Sequence, residues 1–221
     1  MLKGVIFDLD GVIVDTAKYH YLAWKRLANE LGFEFKESDN ERLKGVSRMQ
    51  SLEFLLETGG KTVPDEKKEA LATKKNTWYV EFIEQLREDE ILTGAKEFLL
   101  ALRENGIKIS LGSASKNSPL ILERLKIADL FDAVVDGRDT TRGKPDPQVF
   151  QIGAQKLGLQ CDECVVFEDA EAGIEAAHAA GMIAVGIGEY ANLPEADFLI
   201  NDLSEMNVEL IKMIYSTNKM L

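Results

Sequence analysis

Lys3 to Leu9 is a short apolar run rich in β-branched side chains, and Gly11 breaks it at once. Such a run reads as a strand buried in a sheet, with its last residues where the chain leaves that sheet. Two carboxylates, Asp8 and Asp10, stand at the exit. Strand alternation sends both to one side and Leu9 to the other. Like charges that close repel, and removal from water worsens the repulsion. A chain keeps such a pair where a metal ion, a proton transfer or a nucleophilic carboxylate uses it. An acid pair capping the next helix is the plainer alternative.

The sequence then predicts helices. An amphipathic helix over about Thr16 to Leu31 puts Leu22, Ala23, Leu27 and Leu31 in register, with Gly32 past its end and Trp24 read as core. A short helix from Asn40 to Lys44-Gly45 follows, then one capped by Ser47 and broken at Thr58-Gly59-Gly60. Pro64 starts a long helix towards Leu86. From Thr93 the texture changes to strands at Ile107–Gly112, Ala133–Val135, Val165–Phe167, Ile183–Ile187 and Phe198–Ile200, with helices between and after them. Alternation of this kind means a parallel sheet covered by helices. The expected fold is therefore α/β: a doubly wound, Rossmann-like parallel sheet core (1–15 and 93–221) with a helical cap domain (16–92) inserted after the first strand.

Bulk properties exclude several partners. A net charge of −12 argues against a nucleic-acid surface or an anionic membrane, although local basic groups still allow an anionic substrate. No apolar run approaches a bilayer span, and no signal peptide or anchor is read, so a cytoplasmic protein is expected. The two cysteines, Cys161 and Cys164, lack a second ligand pair and read as incidental thiols. Neither heptads nor a large apolar stripe demands a partner chain, and a monomer is expected.

Ligands of open parallel sheets collect beyond the carboxyl ends of the strands. That rim gathers Asp8 and Asp10, the turn Ser113-Ala114-Ser115-Lys116-Asn117, Lys144 within Gly143-Lys144-Pro145, and Glu168-Asp169. Taken singly, Ser113 is a turn residue, Lys144 a surface charge and Glu168-Asp169 a helix cap. Together, four acids need positive charge, and hard oxygen ligands without histidine favour Mg²⁺. A lysine beside them neutralises a transferring group, and a serine turn cradles phosphate oxygens. The set reads as a phosphoryl-transfer site that uses an aspartyl-phosphate.

Over essentially its full length the chain resembles the haloacid dehalogenase superfamily of phosphotransferases, through Asp8-Leu9-Asp10-Gly11, Ser113, Lys144 and Glu168-Asp169. Within it, the pattern is similar to the β-phosphoglucomutase family. The resemblance implies Asp8 as nucleophile and Asp10 as general acid and base. It implies Mg²⁺ held by Asp8, the Asp10 backbone carbonyl, Glu168 and Asp169, with Ser113 and Lys144 on the transferring phosphoryl. It further implies interconversion of β-D-glucose 1-phosphate and β-D-glucose 6-phosphate through a bisphosphate.

A mutase of that kind needs a second, remote phosphate grip. Arg48, one residue into a cap helix after Lys44-Gly45-Val46-Ser47, suits it. Ser115, Lys116 and Asn117 offer donors from the core side, and His20, one turn from Thr16, could orient Asp10. Ser51, Lys75 and Gly45 complete the resemblance to the family's substrate residues. Arg48 paired with Glu53 and His20 on a helix surface are the plainer readings, and His178 is left structural. Two competing functions remain at this stage: a sugar-phosphate phosphatase of the same superfamily, and a non-catalytic phospho-receiver. The long helical insert and Asp10, two residues past the nucleophile, argue against the receiver.

Overall fold

The computed structural model describes residues 1–43 and 46–218. Six strands form one sheet: β1 (Gly4–Phe7), β2 (Lys108–Gly112), β3 (Ala133–Val135), β4 (Cys164–Glu168), β5 (Ile183–Ile187) and β6 (Phe198–Ile200). Their order is β3-β2-β1-β4-β5-β6, and every neighbouring pair is parallel. Helices α1 (Ala17–Glu30), α2 (Glu37–Asn40), α3 (Arg48–Thr58) and α4 (Asp65–Ile83) lie between β1 and β2, followed by α5 (Ala95–Glu104). The remaining helices are α6 (Ser118–Arg124), α7 (Gln148–Leu157), α8 (Glu171–Ala179) and α9 (Val208–Asn218).

Period-two alternation in β1 explains why both sheet faces are covered. Val5 and Phe7 join the core that contains Phe98 of α5, Ile121 of α6 and Ile211 of α9. Ile6 points the other way, into the core formed with Phe150 of α7 and Ile174 of α8. The Phe7 ring stacks on Phe167 at 5.0 Å and meets Phe98 edge-on at 6.0 Å. Such ring pairs add about 0.5–1.5 kcal/mol each beyond the area they bury. The rings tie β1 to β4 and α5 directly beneath the carboxylates.

Register then sets the position of the site. Phe7 pairs with Leu111 on one side and with Phe167 on the other. One residue further, Asp8 comes level with Gly112 and Glu168. Because β1 is where the chain turns from building one half of the sheet to the other, this edge is the fold's switch point.

The inserted helices pack on one another, α1 and α3 both against α4. Two chain crossings join them to the sheet, and these crossings are paired: Val14 bridges Ile91 and the Leu92 N–H donates to Ile13 O at 2.9 Å. The Ser47 side chain accepts from the Gln50 N–H at the start of α3, as its sequence position predicts. Two local expectations differ. Leu22 is 45% exposed, while Ala23, Trp24, Leu27 and Ala28 form the buried face of α1. The stripe is therefore centred between Trp24 and Leu27, and Leu22 falls outside it. The helix expected to begin at Asn40 ends there instead, running Glu37–Asn40 with a 3-10 turn over Glu41–Leu43. Its acidic first turn suits a helix N-terminus. Lys44 and Gly45 lie outside the described residues.

Candidate active site

At the sheet edge, Lys144 is 5% exposed, and its ammonium donates to Asp8 Oδ1 at 2.5 Å and to Glu168 Oε2 at 2.7 Å. Asp8 and Glu168 come from adjacent strands, and Lys144 reaches them from the loop between β3 and α7. Burial pulls the lysine towards neutrality, but the Asp8 and Glu168 charges outweigh it and hold it protonated. Burial pushes the Glu168 carboxyl up, the Asp8 and Asp169 charges add to that, and Lys144 opposes them. One cation among three acids leaves the cluster short of positive charge.

Asp8, Glu168 and Asp169 each offer an oxygen, and these ligand atoms all lie within 4.8 Å of one another. Two glycines make the approach possible. A Cβ on Gly11, whose φ is +77°, would stand 2.0 Å from Asp169 Oδ2, and one on Gly173 would stand 2.0 Å from Glu168 Cδ. Backbone thus presses against two carboxylates and fixes their direction. Three crowded oxygen donors, two of them on buried residues and with neither His nor Cys among them, fit Mg²⁺. The Asp10 carboxylate lies outside this cluster, turned to Thr16.

The serine turn after β2 is built by its own hydroxyls. Ser113 Oγ accepts from the Ser115 N–H at 3.1 Å, and Ser115 Oγ accepts from the Asn117 N–H at 3.2 Å. Ser118 Oγ donates back to Ser115 O at 2.8 Å. Ser113 is buried, Ala114, Ser115 and Asn117 are half-buried, and Lys116 is exposed beside Gly137. Such a turn is preorganised before any anion arrives.

Above the sheet, Tyr79 Oη donates to Thr16 Oγ1 at 3.0 Å, and the Thr16 hydroxyl donates to Asp10 Oδ1. Burial and the Asp8 charge raise Asp10 to about 7, against the pull of the Thr16 bond. The expected His20–Asp10 contact is replaced by this pair. His20 Nδ1 instead accepts from Lys75 Nζ at 2.7 Å, and its ring lies 4.0 Å from that of Tyr79. Desolvation, then Lys75 and Arg48, hold the His20 imidazole well below its usual range, hence neutral at pH 7. Desolvation and Arg48 also lower Lys75, whose ammonium sits over the rings of Trp24 at 4.4 Å and Tyr79 at 4.8 Å. Glu53 pairs with Lys68, not with Arg48. Ser51 is buried, and His178 lies elsewhere, against Asp197 at 3.0 Å.

Most of the site residues expected from the sequence face one cavity of about 750 Å³ between the inserted helices and the sheet edge. Its walls carry Asp8, Asp10 and Asp169 together with His20, Arg48, Ser51, Lys75, Ser113, Ala114, Ser115, Lys116 and Asn117. Trp24 is both core and wall. Glu168 and Lys144 lie beneath this surface, tied to Asp8. Thr16 and Tyr79 are the residues sequence reasoning missed. They stand 63 positions apart, and the Tyr79 hydroxyl is hidden in an apolar helix face that periodicity reads only as core.

Comparisons with known proteins agree with this geometry. The family model for haloacid dehalogenase-like hydrolases matches residues 2–181. The chain is 44% identical to the β-phosphoglucomutase of Bacillus subtilis, over 95% of this chain and 94% of that one. It is 33% identical to a phosphorylated carbohydrates phosphatase of Thermotoga maritima, over 82% of each. The crystal structure of a β-phosphoglucomutase from Clostridium difficile superposes with a TM-score of 0.97 at 40% identity, over 100% of both chains.

Proposed function

The chain belongs to the haloacid dehalogenase-like hydrolase family, and from that premise we propose that it is a Mg²⁺-dependent β-phosphoglucomutase. It interconverts β-D-glucose 1-phosphate and β-D-glucose 6-phosphate through an aspartyl-phosphate and β-glucose 1,6-bisphosphate. The observation that carries the reading is one cavity lined both by Asp8 and Ser113 and by further anion-binding groups, Arg48, Ser115, Lys116 and Asn117. A hydrolase of small phosphate esters needs only the first. A bisphosphate needs both.

Asp8 carries the phosphoryl group, with Ser113 and Lys144 holding its oxygens. Mg²⁺, when bound by Asp8, Glu168, Asp169 and the Asp10 carbonyl, supplies the positive charge that this cluster and the transferring oxygens need. Asp10, raised to about 7, takes the proton from the sugar 6-hydroxyl in the first transfer and gives it to the sugar 1-oxygen when that oxygen loses its phosphoryl group in the second. Arg48, with Ser115, Lys116 and Asn117, holds the phosphate that is not reacting. The bisphosphate turns around, and the second transfer returns a phosphoryl to Asp8.

Residues 16–92 act as the cap and 1–15 with 93–221 as the core, closing about the paired crossings at Val14 and Ile91. Closure excludes water and protects the aspartyl-phosphate from hydrolysis. The protein acts as a monomer in the cytoplasm; no helix among the described residues is long and apolar enough to cross a membrane. A coupled assay tests the function. NADPH formed from β-glucose 1-phosphate, with little inorganic phosphate released, is expected. Phosphate release in step with substrate consumption would make the protein a sugar-phosphate phosphatase.

A further inference from the structure

One side-chain hydrogen bond spans the cleft away from the hinge. Among the described residues, Asn117 Nδ2 donates to Asn76 Oδ1 over 2.9 Å, joining the turn before α6 to the middle of α4. The other side-chain hydrogen bonds and ion pairs between inserted helices and core among the described residues lie at the crossings, at residues 10–17 and at Glu88. Asn76 follows Lys75, is half-buried, and lines the cavity beside Thr73 and Ala72.

The chemistry of a primary amide gives this bond a purpose. Its carbonyl oxygen accepts, while its NH₂ donates twice. A phosphate dianion offers only acceptors. Asn117 therefore serves a phosphate only when its NH₂, and not its oxygen, faces the cleft. In the recorded arrangement Asn76 accepts one N–H, which leaves the second N–H for a phosphate oxygen. The Asn117 backbone is already held from the core side, through its N–H to Ser115 Oγ. The core thus positions the main chain and α4 positions the amide.

We propose that Asn76 is a positioning residue that couples cap closure to the remote phosphate grip. With the cap shut, its Oδ1 holds the Asn117 amide in the phosphate-binding orientation; with the cap open, that orientation is released. The proposal rests on the mutase reading, in which the Asn117 turn takes the phosphate that is not reacting. It also gives the ligand-free protein a latch across its cleft.

Asn76→Ala removes the acceptor while favouring the helix. Phosphorylation of Asp8 by acetyl phosphate, which has no remote phosphate, should be unchanged. KM for β-glucose 1-phosphate should rise about five- to tenfold, the worth of one hydrogen bond. Adding Asn76→Ala to Asn117→Ala should cost almost nothing more. Additive losses, or an equal loss with acetyl phosphate, would overturn the proposal. Should Asn76→Ala fold poorly, Asn76→Leu carries the same expectations. A measurement free of sugar chemistry separates this idea from the mutase reading. Nitroxide labels on Lys61→Cys and Glu123→Cys, in a Cys161→Ser background, report the cap-to-core distance without ligand. Asn76→Ala should lengthen and broaden that distance, and an unchanged distribution overturns the latch even if the wild-type enzyme proves to be a hydrolase.

Discussion

Replacing Lys144 by Met keeps the length of the side chain and removes the one cation that, among the described residues, pairs with both Asp8 and Glu168. Removing one partner from a buried ion pair costs about 3–5 kcal/mol when the remaining charge has no escape. Here there is an escape, because Glu168 can take a proton. Protonating a carboxyl of ordinary value near 4.3 costs about 1.4 kcal/mol per pH unit, so about 1.6 kcal/mol at pH 5.5 and about 5 kcal/mol at pH 8. The cost of the substitution is thus capped near 1.6 kcal/mol at the lower pH and reaches its full size at the higher. A carboxyl raised in the folded state loses stability as pH climbs from its unfolded value towards its folded one, and losing Lys144, which opposes the rise, makes the penalty grow as pH climbs above about 4. For a chain of this size the thermal midpoint of the metal-free variant should fall by about 5 °C at pH 5.5 and about 12 °C at pH 8. Calorimetry in chelator, with and without Mg²⁺, measures this, and Mg²⁺ should shrink the pH 8 loss. An equal drop at both pH values, or one that Mg²⁺ leaves untouched, would refute the picture of one cation compensating crowded acids.

Arg48→Ala should lower kcat/KM for β-glucose 1-phosphate about 10- to 100-fold, as expected for lost charge-assisted hydrogen bonds, while acetyl phosphate still phosphorylates Asp8 at the wild-type rate. Gly173→Ala would place a Cβ 2.0 Å from Glu168 Cδ. Displacing that carboxylate should weaken Mg²⁺ binding about 10- to 100-fold, read by titration calorimetry on the folded variant. Asp10 at about 7 predicts that kcat/KM for the phosphorylated enzyme falls on the acid side of that value, and that Asp10→Asn abolishes sugar-phosphate turnover. In metal-free protein the same substitution should stabilise the fold more at pH 8 than at pH 4, since a raised carboxyl costs stability as pH rises from about 4 to 7.

Sheet and rim were legible because their signals are local. Ala133–Val135, Ile183–Ile187 and Phe198–Ile200 occupy the bounds that their apolar runs and flanking turns predict. Asp8, Ser113, Lys144 and Glu168 were found as residues that follow strands or lead into helices, and parallel topology brings such ends together. The strand before Asp169 nevertheless extends through Glu168, whose charge reads as a break although its side chain is buried. The support of Asp10 was not legible. Thr16 and Tyr79 meet only because α1 packs against α4, and no spacing rule connects positions 63 apart. His20 was placed near the right group by its distance from Thr16, yet its partner is Lys75, brought by that same packing. Leu22 marks the limit of periodicity in a helix whose polar and apolar positions nearly balance.

The central claim is that Asp8 passes its phosphoryl group to a sugar hydroxyl inside a closed cleft. Phosphorylating the enzyme with ³²P-acetyl phosphate, then mixing it with unlabelled β-glucose 1-phosphate, follows that group directly. Label should leave Asp8, appear first in glucose bisphosphate and then in glucose 6-phosphate. Label released as inorganic phosphate at the same rate with and without the sugar would contradict the account.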